Sequence, residues 1–296
     1  FHLILEMLAL LVAVYLLSRI LQSLTQTKLK PATLFILSFL AIIIVSAGLL
    51  LMPECSEGQG NIGLLDAIFT ATSATCVTGL STINTAEFFT LKGKLVLLAT
   101  MQLGGVGIMT FAIFLSYFMR NALTVRNLSA LKEMMNTENL VTARKLLGNV
   151  FMATLIFEII GAIALFFSWN ASVYFKSIGE RIFHSVFHSV SAFCNAGFST
   201  FPDGLNSPDV RISYLSHLVI ILLIFFGSLG FPVINDLFNV TRLRNRMQYP
   251  WKRWELNTRI SIYTSIVLVL TGAILFFFLE ADLSGNGLSQ RIITSL

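Results

Sequence analysis

Two short stretches combine residue types that could hold a dehydrated cation: Cys76-Val77-Thr78-Gly79-Leu80 and Cys194-Asn195-Ala196-Gly197-Phe198. A cation stripped of water needs oxygen ligands in its place, and rings of backbone carbonyls can supply them. That chemistry asks for an extended segment of small or adaptable residues, with glycine where the backbone turns its carbonyls inward. Neither stretch contains a carboxylate. Selection would then rest on carbonyl dipoles, which favours a monovalent cation over a divalent one. The candidate ligands are the backbone carbonyls of Val77, Thr78, Gly79, Leu80, Asn195, Ala196, Gly197 and Phe198.

The two stretches belong to a longer repeat. Asp66–Thr82 recurs 118 residues later as His184–Thr200, with seven of 17 aligned positions identical: Phe69/Phe187, Ser73/Ser191, Ala74/Ala192, Cys76/Cys194, Gly79/Gly197, Ser81/Ser199 and Thr82/Thr200. Each copy is a short apolar segment running into the glycine-containing stretch. A short helix there would aim the partial negative charge of its C-terminus at the cation.

The surrounding elements must bury these segments in a membrane. Of the 296 residues, 55% are hydrophobic and only 12% charged, about half the charge of a soluble domain. Six runs are long enough to span, roughly 3–24, 33–52, 95–118, 146–168, 213–238 and 260–279, since a span needs about 20 mostly apolar residues. The segment 1–24 lacks a charged leader and a cleavage site, so it reads as a membrane helix. The apolar pieces at 64–75 and 182–193 are too short to cross. Non-helical backbone at membrane depth is tolerated only inside protein or beside water, so these pieces read as re-entrant pore loops.

Charge supports that topology. Loops 19–32, 119–145 and 239–259 carry 14 of the 20 basic residues, as cytoplasmic loops should. Most acids, including Glu54, Glu57, Asp66, Glu87 and Glu180, fall on the opposite side. The alternation holds only if 64–82 and 182–200 enter and leave on one outer face. The net charge of +5 is thus a matter of membrane orientation and not of nucleic-acid binding.

The expected organisation is an extra N-terminal helix at 1–30, a first helix–pore loop–helix repeat at 31–120, a cytoplasmic loop at 121–139, a second repeat at 140–240 and the start of a third at 241–296. Gly104 and Gly107 in GGVG align with Gly227 and Gly230 in GSLG. Arg291–Leu296 resembles Arg181–Val186, the start of the second pore helix. The chain is therefore expected to be part of a longer polypeptide, stopping in the third of four repeats.

The motifs ATSATCVTGLST, KLVLLATMQLGGVGIMTF, FHSVSAFCNAGFST and GSLGFPVI together resemble the Trk/Ktr/HKT superfamily of potassium transporters, in particular its bacterial membrane subunits. The resemblance covers essentially the whole chain. It implies an all-α polytopic fold with four potassium-channel-like repeats around one pore. It implies potassium as the transported ion, no organic cofactor, a homodimer in the bacterial inner membrane, and a cytoplasmic ring of nucleotide-binding regulatory subunits. Members with serine at the first filter glycine tend to pass sodium; glycine at both 79 and 197 favours potassium. The extra N-terminal helix leans toward the Trk branch. A sodium-permeable or ion-coupled transporter of the same fold, or a membrane scaffold for the regulator, are the alternatives.

Other features have simpler readings. Gly104, Gly105 and Gly107 lack dinucleotide-loop spacing and read as close helix packing. His184 and His188, at i and i+4, could ligate metal, but no third ligand is evident and polar packing is the simpler account. Glu158 lies mid-span, where acids are costly and often functional; a structural hydrogen bond competes with an ion-coupling role. Cys76 and Cys194 read as small packing residues. The three cysteines form no disulfide framework. There is no HExxH, nucleophile elbow or P-loop, so no enzyme is expected.

Overall fold

The computed structural model describes residues 31–57, 62–105, 140–170, 173–229, 231–238 and 256–279, with a few single positions beside the last of these. The expected helix at 3–24, most of the loop at 119–145 and the third pore helix after 280 lie outside the described residues. The described elements are helical; the β-pairing among them is one isolated bridge between Ser56 and Phe89.

Eight helices carry the account. They are α1 (Pro31–Leu50), α2 (Leu64–Thr75), α3 (Leu91–Gly105), α4 (Leu140–Ser168), α5 (Ile178–Phe193), α6 (Tyr214–Ser228), α7 (Phe231–Phe238) and α8 (Leu256–Leu279). The described residues fall into two compact units, one within Phe1–Phe151 plus Ala196–Phe198, the other within Met152–Asn195 plus Ser199–Leu296.

In the first unit α1, α2 and α3 pack on one another. Thr100 Oγ1 donates to Ser46 Oγ at 2.9 Å and ties α3 to α1 through buried hydroxyls. The chain between α1 and α2 is held beside α3: Thr90 Oγ1 donates to the Glu54 carbonyl at 2.6 Å, and Lys92 pairs with the Glu54 carboxylate at 3.0 Å.

In the second unit α5 packs on α6 and α7 on α8. The core gathers Leu165 from the end of α4 and Trp169 just after it, Ala192 and Phe193 from α5, Ile220 and Leu223 from α6, and Ile234 from α7. The helix α4 has 29 residues, a length of about 43 Å at 1.5 Å per residue, more than the roughly 30 Å hydrocarbon core of a bilayer. Its buried stripe is Thr154, Glu158, Gly161, Leu165 and Ser168, whereas Ile156, Ile159, Ile160, Ile163 and Phe167 are exposed. Polar groups inside and aliphatic groups outside invert the pattern of a water-soluble helix and suit a lipid surface. By length and composition, α4 and α8 can each cross a membrane.

The single span read at 213–238 is corrected to two helices, α6 and α7. Pro232 explains the break. It lacks an N–H, and its ring would meet the carbonyl four residues earlier in a continuous helix, so it is accommodated in the first turn of a new one. The second short helix begins earlier than its apolar run, at Ile178. Ser177 caps it, its Oγ accepting the Glu180 N–H at 3.1 Å, while Glu180 Oε2 accepts the Lys176 N–H at 2.6 Å.

Candidate functional site

The first short helix, α2, covers 64–75 as the apolar run predicts, and α5 ends at Phe193. Both are exposed at their beginnings and buried at their ends. Leu64, Leu65 and Ile68 are open in α2, and Ala71, Ser73, Ala74 and Thr75 are buried. Ile178 and Ile182 are open in α5, and its residues from Phe187 to Phe193 are buried throughout. Each helix thus drives its carbonyl end into protein.

Each helix stops in the same way. Cys76 and Cys194 are the C-caps, and the next residues, Val77 and Asn195, both have φ of 57°. A left-handed residue directly after the cap is a common helix stop. The Cys76 N–H returns to the Thr72 carbonyl at 2.8 Å, and the Cys194 N–H to the equivalent Val190 carbonyl at 2.9 Å. Asparagine tolerates this conformation, whereas a β-branched valine in it carries strain of about 1–3 kcal/mol.

A second left-handed residue follows after one ordinary residue in both copies: Gly79 at φ 76° and Gly197 at φ 72°. The helix stop does not require it. In a strand of uniform hand, successive carbonyls alternate sides. Reversing the hand at every second residue cancels that alternation, which is the backbone condition for successive carbonyls to share one side.

Space adds to the requirement for glycine. Within the first unit, a Cβ on Gly79 would lie 2.8 Å from the Ala196 carbonyl oxygen, and one on Gly197 would lie 3.2 Å from Gly79 Cα. The structure therefore brings together Gly79, Ala196 and Gly197 of the eight expected ligand residues. Val77 and Gly79 are partly exposed, Thr78, Leu80, Asn195 and Gly197 are exposed, and Ala196 and Phe198 are buried.

The returning helices seat against the short ones through paired glycines. A Cβ on Gly104 of α3 would strike the Thr75 carbonyl, and one on Gly227 of α6 would strike the Phe193 carbonyl. Thr75 and Phe193 are the last residues of α2 and α5, so the alignment of Gly104 with Gly227 reflects equivalent contacts. Gly104 is a close-packing residue, as read; Gly107 and Gly230 lie outside the described residues.

The two supports differ. In the first unit Thr82 Oγ1 donates to Asp66 Oδ1 at 2.6 Å, and Thr78 Oγ1 donates to Ser73 Oγ at 2.9 Å. In the second, Thr200 Oγ1 and His184 Nδ1 share a hydrogen bond of 2.6 Å, and His188 Nε2 is 3.0 Å from Ser199 Oγ. The rings of Trp169, His184, His188 and Phe201 pack together, and Trp169 Nε1 donates to Ser185 Oγ at 2.8 Å. The histidines are thus polar packing residues, and among the described residues no group of three His, Cys, Asp or Glu could hold a metal.

Glu158 is buried in α4, where its Oε1 accepts from Cys194 Sγ at 3.8 Å and its carbonyl accepts from Ser189 Oγ at 2.7 Å. The packing reading of the cysteines holds for Cys194, which is buried, and fails for Cys76, which is exposed. Cys194 is held against Glu158 of α4, whereas Cys76, the cap of α2, is exposed.

A family model described as "TrkH: Cation transport protein" matches residues 4–284. The chain belongs to the TrkH family. Curated TrkH relatives include the Ktr system potassium uptake protein B of Vibrio alginolyticus, 35% identical over 257 residues, which cover 83% of this chain and 51% of that protein. The potassium/sodium uptake protein NtpJ of Enterococcus hirae is 31% identical over 86% of this chain and 54% of its own length. The Ktr system potassium uptake protein D of Bacillus subtilis is 32% identical over 90% and 58%. The chain spans about half the length of these relatives.

Proposed function

We propose that this chain supplies part of a membrane pore for potassium uptake, with dehydrated ions passing the backbone carbonyls of Val77, Thr78, Gly79, Leu80, Asn195, Ala196, Gly197 and Phe198. The observation that carries the reading is the paired backbone. Left-handed residues stand at 77 and 79 and again at 195 and 197, each pair at the buried end of a short helix. Oriented carbonyls can replace an ion's water without a formal charge. The helix C-termini add negative potential near the same place.

In this reading 31–120 and 140–240 are two helix–pore loop–helix repeats of a four-part pore in the bacterial inner membrane. The full assembly is a homodimer whose basic cytoplasmic loops dock a nucleotide-binding regulatory subunit. The names of the Vibrio and Bacillus relatives, as components of Ktr systems, support a multi-component assembly. A second reading, sodium passage through the same pore, is favoured by the likeness to a protein named for potassium and sodium uptake. Glycine at both 79 and 197 favours potassium.

The test is rubidium uptake by bacteria lacking their own potassium uptake systems, with the full polypeptide and its partner expressed. Uptake should be competed by potassium far better than by sodium. Equal competition by the two ions would replace the first reading by the second, and no uptake above the empty host would remove both.

A further inference from the structure

We propose that His184 and His188 are positioning residues for the second filter segment, acting through Thr200 and Ser199 to fix the backbone that follows Phe198. The inference rests on the filter reading above and adds to it the groups that set the geometry of one segment.

The chemistry of the hydrogen bonds gives the chain of support a direction. His188 Nδ1 lies 2.8 Å from the His184 carbonyl oxygen, which can only accept. His188 therefore carries its proton on Nδ1, and Nε2 is left as an acceptor. Ser199 Oγ, 3.0 Å away, donates to that Nε2 and in turn accepts the Phe201 N–H at 3.1 Å. The run from Phe201 N–H through Ser199 and His188 to the carbonyl of α5 is continuous, and linked bonds of this kind polarise one another. Beside it, the Thr200–His184 bond at 2.6 Å makes a second strap one residue along. His188 and Thr200 are buried, and Phe201 stacks on the His188 ring and packs at a tilt against that of His184. Two consecutive residues directly after the segment are thereby tied to the helix directly before it.

The first segment carries the same chord in different chemistry. Positions 66 and 82 stand where 184 and 200 stand, and Asp66 and Thr82 are hydrogen bonded. The second chord is missing there. Thr70 occupies the place of His188, is fully buried, and its Oγ1 has no hydrogen-bond partner. A chord that recurs with a carboxylate in one copy and an imidazole in the other points to a geometric requirement for the segment it spans.

The experiment measures uptake by the full polypeptide with its partner in the host lacking potassium uptake, reading the potassium-over-sodium preference alongside the amount of protein in the membrane. Thr200→Val keeps the shape and removes the hydroxyl, His188→Phe keeps a ring and removes both bonds, Ser199→Ala removes the hydroxyl that joins the Phe201 N–H to His188 and should act like His188→Phe, and Thr200→Ser keeps the bond. Loss of one buried bond should lower the preference about fivefold in Thr200→Val, and loss of two should lower it at least as much in His188→Phe, with Thr200→Ser near the parent. A purely structural role would lower the amount of protein and leave the preference alone, which overturns the inference. Gly197→Ser is the control: if it changes the preference while the strap variants that reach the membrane do not, the straps are not positioning groups. If Gly197→Ser also changes nothing, the filter reading itself fails.

Discussion

The segments after α2 and α5 share a backbone but not its support. Both carry left-handed residues at the first and third positions after the capping cysteine, and both helices are seated by a glycine of the returning helix. Around α5 the support is an aromatic and imidazole cluster with Phe187 fully buried. Around α2 the equivalent Phe69 is 42% exposed, and the hydrogen bonds join Ser73 to Thr78 and Asp66 to Thr82 with no imidazole between them. The difference teaches that a small set of positions dictates the backbone path, while the packing behind it is interchangeable. The dictating positions are the glycines, the helix stops and the chord from each short helix to the end of the segment that follows it.

The strongest way to break the comparison is at the seating glycines. Gly104→Val and Gly227→Val should each cost about 3 kcal/mol or more, since a side chain there drives a helix off a backbone carbonyl. Thermal melting of the purified protein, or the amount reaching the membrane, should fall similarly for both. A large loss for one and none for the other would end the equivalence of the two repeats. The packing behind the two short helices gives an asymmetric effect. Phe187→Ala should cost about 3–4 kcal/mol by leaving a cavity, and Phe69→Ala about 1 kcal/mol or less. Equal melting shifts would mean that α2 is as tightly supported as α5. Trp169→Phe should cost about 1 kcal/mol through its lost bond to Ser185, read from the same melts.

The smallest effect has the opposite sign. Val77 holds a left-handed conformation that Asn195 holds at the equivalent position without a β-branch. Val77→Asn should therefore raise stability by about 1 kcal/mol. If Val77→Asn melts below the parent, the valine side chain makes contacts worth more than its strain.

Much of this organisation is legible in the residues, and the exceptions have physical reasons. The short helix at 64–75 is readable because its apolar run has matching ends, and the pairing of Gly104 with Gly227 because both follow the repeat. The break between α6 and α7 is written in Pro232, whose effect is hidden by the hydrophobicity around it. The role of the histidines is not readable from local spacing. The i, i+4 pair invites a metal, but their partners Ser199 and Thr200 lie 11 and 16 residues further on. They meet only because the chain turns back beside α5. The contact of Glu158 with Cys194, 36 residues apart, is hidden for the same reason.

The central claim is that Gly79 and Gly197 are matching members of one carbonyl-lined cation filter. The most direct test is the potassium-over-sodium preference of uptake by Gly79→Ser and Gly197→Ser, each expressed in the full polypeptide with its partner. At both positions a side chain meets a positive φ and a close neighbouring backbone. The account predicts that each substitution lowers the preference by about tenfold or more, the equivalent of roughly 1.4 kcal/mol, and by comparable amounts. An unchanged preference in both variants, with protein present in the membrane, would contradict it.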